Sequence, residues 1–226
     1  MREVVLDTET TGLSYKSGDR MVELGCVELI NHVATSNKLQ FYCSVEKKMN
    51  PDAARITGLT NDFLNEHPPF RENVEKFFDF IRDDNLIIHN ADFDMGFLNN
   101  ELRILGIGPI KNKVIDTVKL ARKNLNTRIV NLDYLCRRFS IDLSERDLHG
   151  ALLDSELLAE VYLELIGGKQ ISMNLENSND NKIKFENKNF KKKLTSIKIN
   201  LSKNEITDHK NTIKTIKNTI WAKIDY

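Results

Sequence analysis

At 226 residues the chain is long enough to bury a full core, and its 33 basic residues balance 33 acidic ones. The balance hides an asymmetry: residues 1–168 hold 20 Lys and Arg against 27 Asp and Glu, whereas residues 169–226 hold 13 Lys against 6 acids. An acidic body excludes a broad electrostatic grip on nucleic acid by that body alone, no apolar run reaches membrane-spanning length, and three scattered cysteines fit neither a disulfide framework nor a zinc spacing. With no signal-peptide pattern at the start, a soluble cytoplasmic protein is expected. Cys26 and Cys136, both in apolar runs, read as plain core residues of a reducing compartment.

In chain order, Val4-Val5-Leu6 reads as a strand buried on both faces that turns at once to Asp7-Thr8-Glu9-Thr10-Thr11-Gly12. Met21–Ile30 alternates as a second strand and Leu39–Val45 as a third, with polar residues 31–37 as the hairpin connection. A short helix is expected from Pro51 to the stop at Gly58, then a further turn capped by Thr60 and ended by Pro68-Pro69. Val74, Phe77, Phe78 and Ile81 place an amphipathic helix over Phe70–Ile81. Leu86-Ile87-Ile88 reads as a fourth strand, ending in His89-Asn90-Ala91-Asp92-Phe93-Asp94. A helix through Phe97, Leu98, Leu102 and Leu105 stops at Gly106, and Val114-Ile115-Asp116 reads as a fifth strand. Helical stretches follow around Val118–Lys123 and Leu132–Phe139, and His149–Ile166 is the longest helical pattern. A meander followed by alternating strands and helices predicts an α/β protein, a mixed five-stranded sheet flanked by helices.

Three acidic elements stand out. Side chains alternate along a strand, so Asp7 and Glu9 project to one side of it, a pairing that is costly unless a cation lies between them. On its own Asp-x-Glu is also common on solvated strand faces. The second element, Asp94, lies in the loop beyond another strand, where sites gather in such sheets. The third is Asp154, bordered by Leu152, Leu153, Leu157 and Leu158; as a lone residue it would read as a salt-bridged helix position. Five residues turn a helix by about 500°, so His149 belongs at or just before the helix start, with Asp154 one to two turns in. His89, at the end of an apolar strand, reads as a packing or positioning residue.

Taken together, Asp7-Thr8-Glu9-Thr10-Thr11-Gly12, His89-Asn90-Ala91-x-Phe93-Asp94, and His149 with Asp154 five residues on, resemble the DEDD-type 3′→5′ exonucleases of the histidine subclass. The resemblance covers about residues 1–168 and implies the ribonuclease H-like fold. Leu148–Asp154 and its continuation to Gly167-Gly168 are similar to the proofreading subunits of bacterial replicative polymerases. The resemblance implies two divalent cations, Mg²⁺ or Mn²⁺, which suit hard oxygen donors and phosphodiester hydrolysis. It implies that Asp7 bridges both ions, that Glu9 and Asp154 complete the nucleophile-side ion, and that Asp94 acts mainly through water. His149 is the implied general base, a role that imidazole side chains suit. Substrate contacts are implied at Asp7, Glu9, Asp52, Thr57, Asn90 and Asp154, the substrate being a single-stranded 3′ end of DNA. At Thr57 some family members carry His.

Beyond the implied catalytic domain, residues 1–168, residues 169–200 read as a flexible linker and 201–226 as a basic tail. Gln170, Met173 and Leu175, in the stretch 170–175, resemble a sliding-clamp-binding peptide. Ile206, Ile213, Ile216, Ile220 and Ile224 fall at helical spacings, with Trp221 close by, in a segment of indifferent helix formers expected to fold on a partner. Resemblance implies that this partner is the polymerase catalytic (alpha) subunit in a nucleoid-associated replisome, together with a small theta-like accessory subunit; no membrane partner is expected. Two other readings stand beside it: a stand-alone RNA-trimming 3′→5′ exonuclease, and a catalytically silent bridging subunit.

Overall fold

The computed structural model describes residues 1–125, 127–144, 146, 148–167 and 202–215. The chain divides into two units, Met1–Asn174 and Leu175–Tyr226. The first holds strands β1 (Arg2–Thr10), β2 (Met21–Ile30), β3 (Val33–Tyr42), β4 (Asn85–Ile88) and β5 (Val114–Asp116). Its helices are α1 (Pro51–Thr57), α2 (Asn61–Asn65), α3 (Phe70–Ile81), α4 (Ala91–Ile104), α5 (Thr117–Leu125), α6 (Leu132–Phe139) and α7 (Ala151–Leu165), and a single 3-10 turn spans Tyr15–Ser17. In the second unit the described residues form one helix, α8 (Lys203–Thr215). Among the described residues no helix is long and apolar enough to cross a membrane.

The sheet runs β3-β2-β1-β4-β5. β1 pairs antiparallel with β2 and parallel with β4, so the strand carrying Asp7 and Glu9 is central. β3 departs from the sequence expectation: it begins at Val33 rather than Leu39 and ends at Tyr42 rather than Val45. The hairpin is closed by Asn31 and His32 alone, at φ 51° and 69°. Two consecutive residues with positive φ make the tight turn whose twist matches a hairpin, and the polar residues after it belong to an edge strand that faces water. Gly58 ends α1 at φ 74° and the Thr60 side chain caps the start of α2 by accepting from the Phe63 amide, both as the residues predict, but α2 ends at Asn65, short of Pro68-Pro69.

Alternation along β1 divides the core and fixes the site. Val4 and Leu6 face α3 and α4, packed with Phe77, Ile81, Leu98 and Leu102. Val5 faces the opposite way and packs with Leu158, Ala159 and Tyr162 of α7. Asp7 and Glu9 continue the row of Val5 toward α7, while Thr8 continues the row of Leu6 toward α4. α7 comes in close because the residue paired with Asp7 on β2 is Gly25. A Cβ there would lie 2.3 Å from the Ala151 carbonyl carbon, so any side chain would lift the first turn of α7 off the sheet. The Ser155 hydroxyl donates to the Gly25 carbonyl at 3.0 Å and fastens the contact.

Candidate active site

β1, α4, α7 and the loop before α7 bring five sequence-singled residues to one end of the sheet. Asp7 and Glu9 are half-buried on β1, and Asp94 and Asp154 are buried at 2% and 5% exposed. His149 lies just before α7, on the exposed side. Its backbone amide donates to the Ile56 carbonyl at 3.0 Å, which fastens the loop to the end of α1. The donor atoms of Glu9, His149 and Asp154 all lie within 4.8 Å of one another.

The carboxylates differ in how readily they ionise. Burial, with the fields of Asp94, Glu9 and Asp154, pushes Asp7 well above the ordinary carboxylate range. Burial, helped by Asp154 and Glu23, pushes Glu9 up to about 8. Asp94 is pushed to about 7 by burial, against the hydrogen bonds that hold it to β1: Thr8 N–H and Thr8 Oγ1 donate to one of its oxygens at 3.1 and 2.7 Å. Asp154 alone moves the other way. Although it too is buried, hydrogen bonds from Arg146 and His149 hold it below the ordinary range.

Such a set of hard oxygen donors and one imidazole, three of whose carboxyls are costly to ionise where they stand, fits a divalent cation. The same cation would relieve the repulsion that raises Asp7 and Glu9. His149 Nδ1 lies 3.3 Å from Asp154 Oδ2 and 3.1 Å from Arg146 Nη2. With its proton on Nδ1 the ring donates to Asp154 and keeps a lone pair on Nε2, the arrangement a general base needs. With the lone pair on Nδ1 it accepts from Arg146 instead, and Nε2 carries the proton.

Beside these groups an open cleft of about 250 Å³ is lined by Glu9, Leu13, Asp52, Ile56, Thr57 and Phe93, among others. Asp52 and Thr57, singled out by resemblance, thus share a pocket with Glu9. Thr57 is buried, and its hydroxyl donates to the Ala53 carbonyl at 3.0 Å. Asn90 does not line that cleft; it is exposed, precedes α4 at φ 65°, and leaves its side chain unused by the helix. His89 pairs through Nδ1 with Thr117 Oγ1 at 2.8 Å and is pushed down by burial, as a positioning residue would be. Gln170, Met173 and Leu175 lie outside the described residues, as do Ile216, Ile220, Trp221 and Ile224.

Two charged residues at the site escape a reading by motif. Glu23, buried at 1%, is paired with Glu9 across β1 and β2 and accepts from Gln40 at 2.8 Å. Its trace in the sequence is one acid inside an apolar strand. Arg146 is the second: Nε and Nη2 meet the two Asp154 oxygens at 2.6 and 2.7 Å, and Nη1 pairs with Asp133 on α6. A lone cation three residues before His149 was its only signal.

The exonuclease family model matches residues 4–162. The protein named DNA polymerase III subunit epsilon in Rickettsia felis is 42% identical over 225 residues, which is 97% of this chain and 98% of that one. Its namesake in Salmonella typhimurium is 42% identical over 176 residues, 74% of this chain and 72% of that one. Among solved structures, the nuclease domain of 3′hExo, a DEDDh family member bound to rAMP, superposes with a TM-score of 0.64 at 18% identity, covering 73% of this chain and 91% of that one. Exonuclease X in complex with 5′ overhanging duplex DNA gives 0.59 at 20% identity, over 72% of this chain and 90% of that one. At these identities the two structures speak for the fold alone.

Proposed function

The chain belongs to the exonuclease family, among the epsilon subunits of DNA polymerase III, and from that premise we propose that it removes 3′-terminal nucleotides from DNA as the proofreading nuclease of a replicative polymerase. The observation that carries this reading is the convergence of Glu9, His149 and Asp154 within 4.8 Å, with Asp7 beside them on β1 and Asp94 bonded to Thr8, next to a cleft of about 250 Å³. We read that cleft as the seat of a single unstacked nucleotide rather than of a duplex end. A frayed, mispaired 3′ end therefore enters more readily than a paired one.

Two divalent ions, Mg²⁺ or Mn²⁺, would be held by Asp7, Glu9 and Asp154 with Asp94 behind them; when bound they neutralise phosphate charge and favour attack by water. The remaining work falls to the chain. Asp7, Glu9 and Asp154 hold the charge of the site at the end of the cleft. His149, with Nδ1–H turned to Asp154, takes a proton on Nε2. Thr8 keeps the Asp94 carboxyl aimed by two hydrogen bonds, and Asp52, Thr57 and Ile56 line the seat of the terminal nucleotide.

Residues 1–168 serve in this proposal as the catalytic domain, 169–200 as a linker, and 201–226 as the attachment to the polymerase alpha subunit in the cytoplasm. α8 supports the last point: none of its residues is buried, and half-exposed Ile206 and Ile213, seven apart, form the start of an apolar stripe. Clamp binding through 170–175 and a theta-like partner belong to the same proposal. Release of mononucleotides from a 3′-mismatched DNA primer is the test, with Mg²⁺ or with EDTA and with Asp7→Ala as control. Metal-dependent release from DNA, lost in the variant, is expected; activity confined to RNA, or none in the wild type, would overturn the reading. A chain truncated after Gly168 should keep the activity and lose the polymerase.

A further inference from the structure

Arg146 lies in the loop between α6 and α7, yet its side chain is only 7% exposed. Every nitrogen of its guanidinium is engaged. Nε and Nη2 meet the two oxygens of Asp154 at 2.6 and 2.7 Å, Nη1 pairs with Asp133, and Nη2 also lies 3.1 Å from His149 Nδ1. Side-on pairing uses one lone pair on each carboxylate oxygen; the other on Oδ2 faces His149 Nδ1 at 3.3 Å, and the other on Oδ1 stays open. Donor atoms of Glu9, His149 and Asp154 accordingly converge within 4.8 Å with the arginine already in place. Nothing in this arrangement requires the guanidinium to leave when a cation enters.

From this geometry we propose that Arg146 is a positioning residue: its fork fixes the Asp154 carboxylate and ties the loop carrying His149 to α7, with Asp133 on α6 as the anchor. The inference rests on the exonuclease reading, which gives Asp154 and His149 their roles. Planarity is what matters. A lysine ammonium is a point charge and cannot hold two oxygens and the anchor at fixed angles. Arg146 does not line the cleft, so its removal should disturb turnover and leave substrate capture alone.

The test uses the full chain, comparing wild type with Arg146→Ala, Arg146→Lys and Asp133→Asn. It reads steady-state hydrolysis of a single-stranded DNA 3′ end in Mg²⁺ and amide hydrogen exchange over residues 143–150. Arg146→Ala should lower kcat about 10–100-fold, as loss of an outer partner of a metal ligand does, while KM stays within about threefold and exchange over the loop rises. Arg146→Lys should recover only part of kcat, and Asp133→Asn, at a half-exposed anchor, should lose a few-fold in the same pattern. An Arg146→Ala enzyme with full kcat and unchanged exchange overturns the proposal. So does one that binds Mg²⁺ more than about tenfold tighter by calorimetry with kcat raised, because the guanidinium would then be a plug that metal displaces. If Arg146→Ala does not fold, unchanged kcat and exchange in both other variants overturns it equally. A wild type without nuclease activity sinks the exonuclease reading instead, and the exchange comparison then decides the positioning claim by itself.

Discussion

The two sides of the site solve the same electrostatic problem in opposite ways. On the sheet side, Asp7, Glu9 and Asp94 are drawn together with no ion pair to a basic side chain among the described residues, and all three are pushed toward their neutral forms. On the helix side, Asp154 is buried as well but is matched by Arg146, which favours its ionised form. One half is thus prepared by the chain itself and the other waits for a charge from outside. A buried carboxylate is unstable as a bare anion, and a protein can answer by supplying a partner or by leaving room for one. This fold does both within a few ångströms.

The largest test of the contrast is Asp7→Ala. It should cut nuclease activity by on the order of a thousandfold, since several kcal/mol of charge stabilisation runs through this carboxylate. Its melting temperature in EDTA at pH 8 should not fall, because the variant removes repulsion. His149→Ala should lower kcat about a hundredfold or more while leaving metal binding by calorimetry largely intact. Weakened metal binding with unchanged kcat would contradict its role as base. Gly25→Ala should destabilise the fold by about 1–3 kcal/mol in urea titrations, because the added methyl meets the Ala151 backbone. It should also pull the helix half away from the sheet half.

A smaller effect separates the halves by pH. Glu9 rises from 4.5 to about 8 in the fold and Asp94 from 3.8 to about 7. An acid whose folded pKa is raised favours the folded state while protonated. In EDTA, stability should therefore fall as pH climbs from about 4 to about 8, and a divalent cation should abolish that fall. Asp154 has the opposite sign: its contribution is lost only as pH drops through its lowered value, below this window. Melting curves from pH 5 to 8.5, with and without Mg²⁺, read the difference. Thr8→Val gives the smallest effect. It removes the 2.7 Å hydroxyl donor to Asp94 and keeps the amide, so a loss of activity of roughly tenfold is expected from one hydrogen bond to a charged group.

Much of the sheet half was legible in the residues. Alternation alone puts Asp7 and Glu9 on one face, and the apolar run before them marks a buried strand. The helix half was half legible: the turn angle between His149 and Asp154 places one before the helix and the other within it, as found. What supports Asp154 was not legible, because Arg146 reaches it through a loop, and loop side chains have no period to read. Gly25 was opaque for a related reason, since a glycine inside a strand shows its purpose only once the helix above it is placed. The β3 boundary differs from expectation because a polar run reads as a loop, whereas an edge strand is polar too.

The upward shift of the sheet-half carboxyls has a direct readout. Calorimetric titration with Mn²⁺ at pH 7, in buffers of different ionisation enthalpy, measures the protons set free on binding. Release on the order of one proton or more per chain is expected, reduced in Asp7→Asn and kept in Asp154→Asn. Binding with no proton release in the wild type would mean that the sheet half is already ionised, and would contradict that expectation.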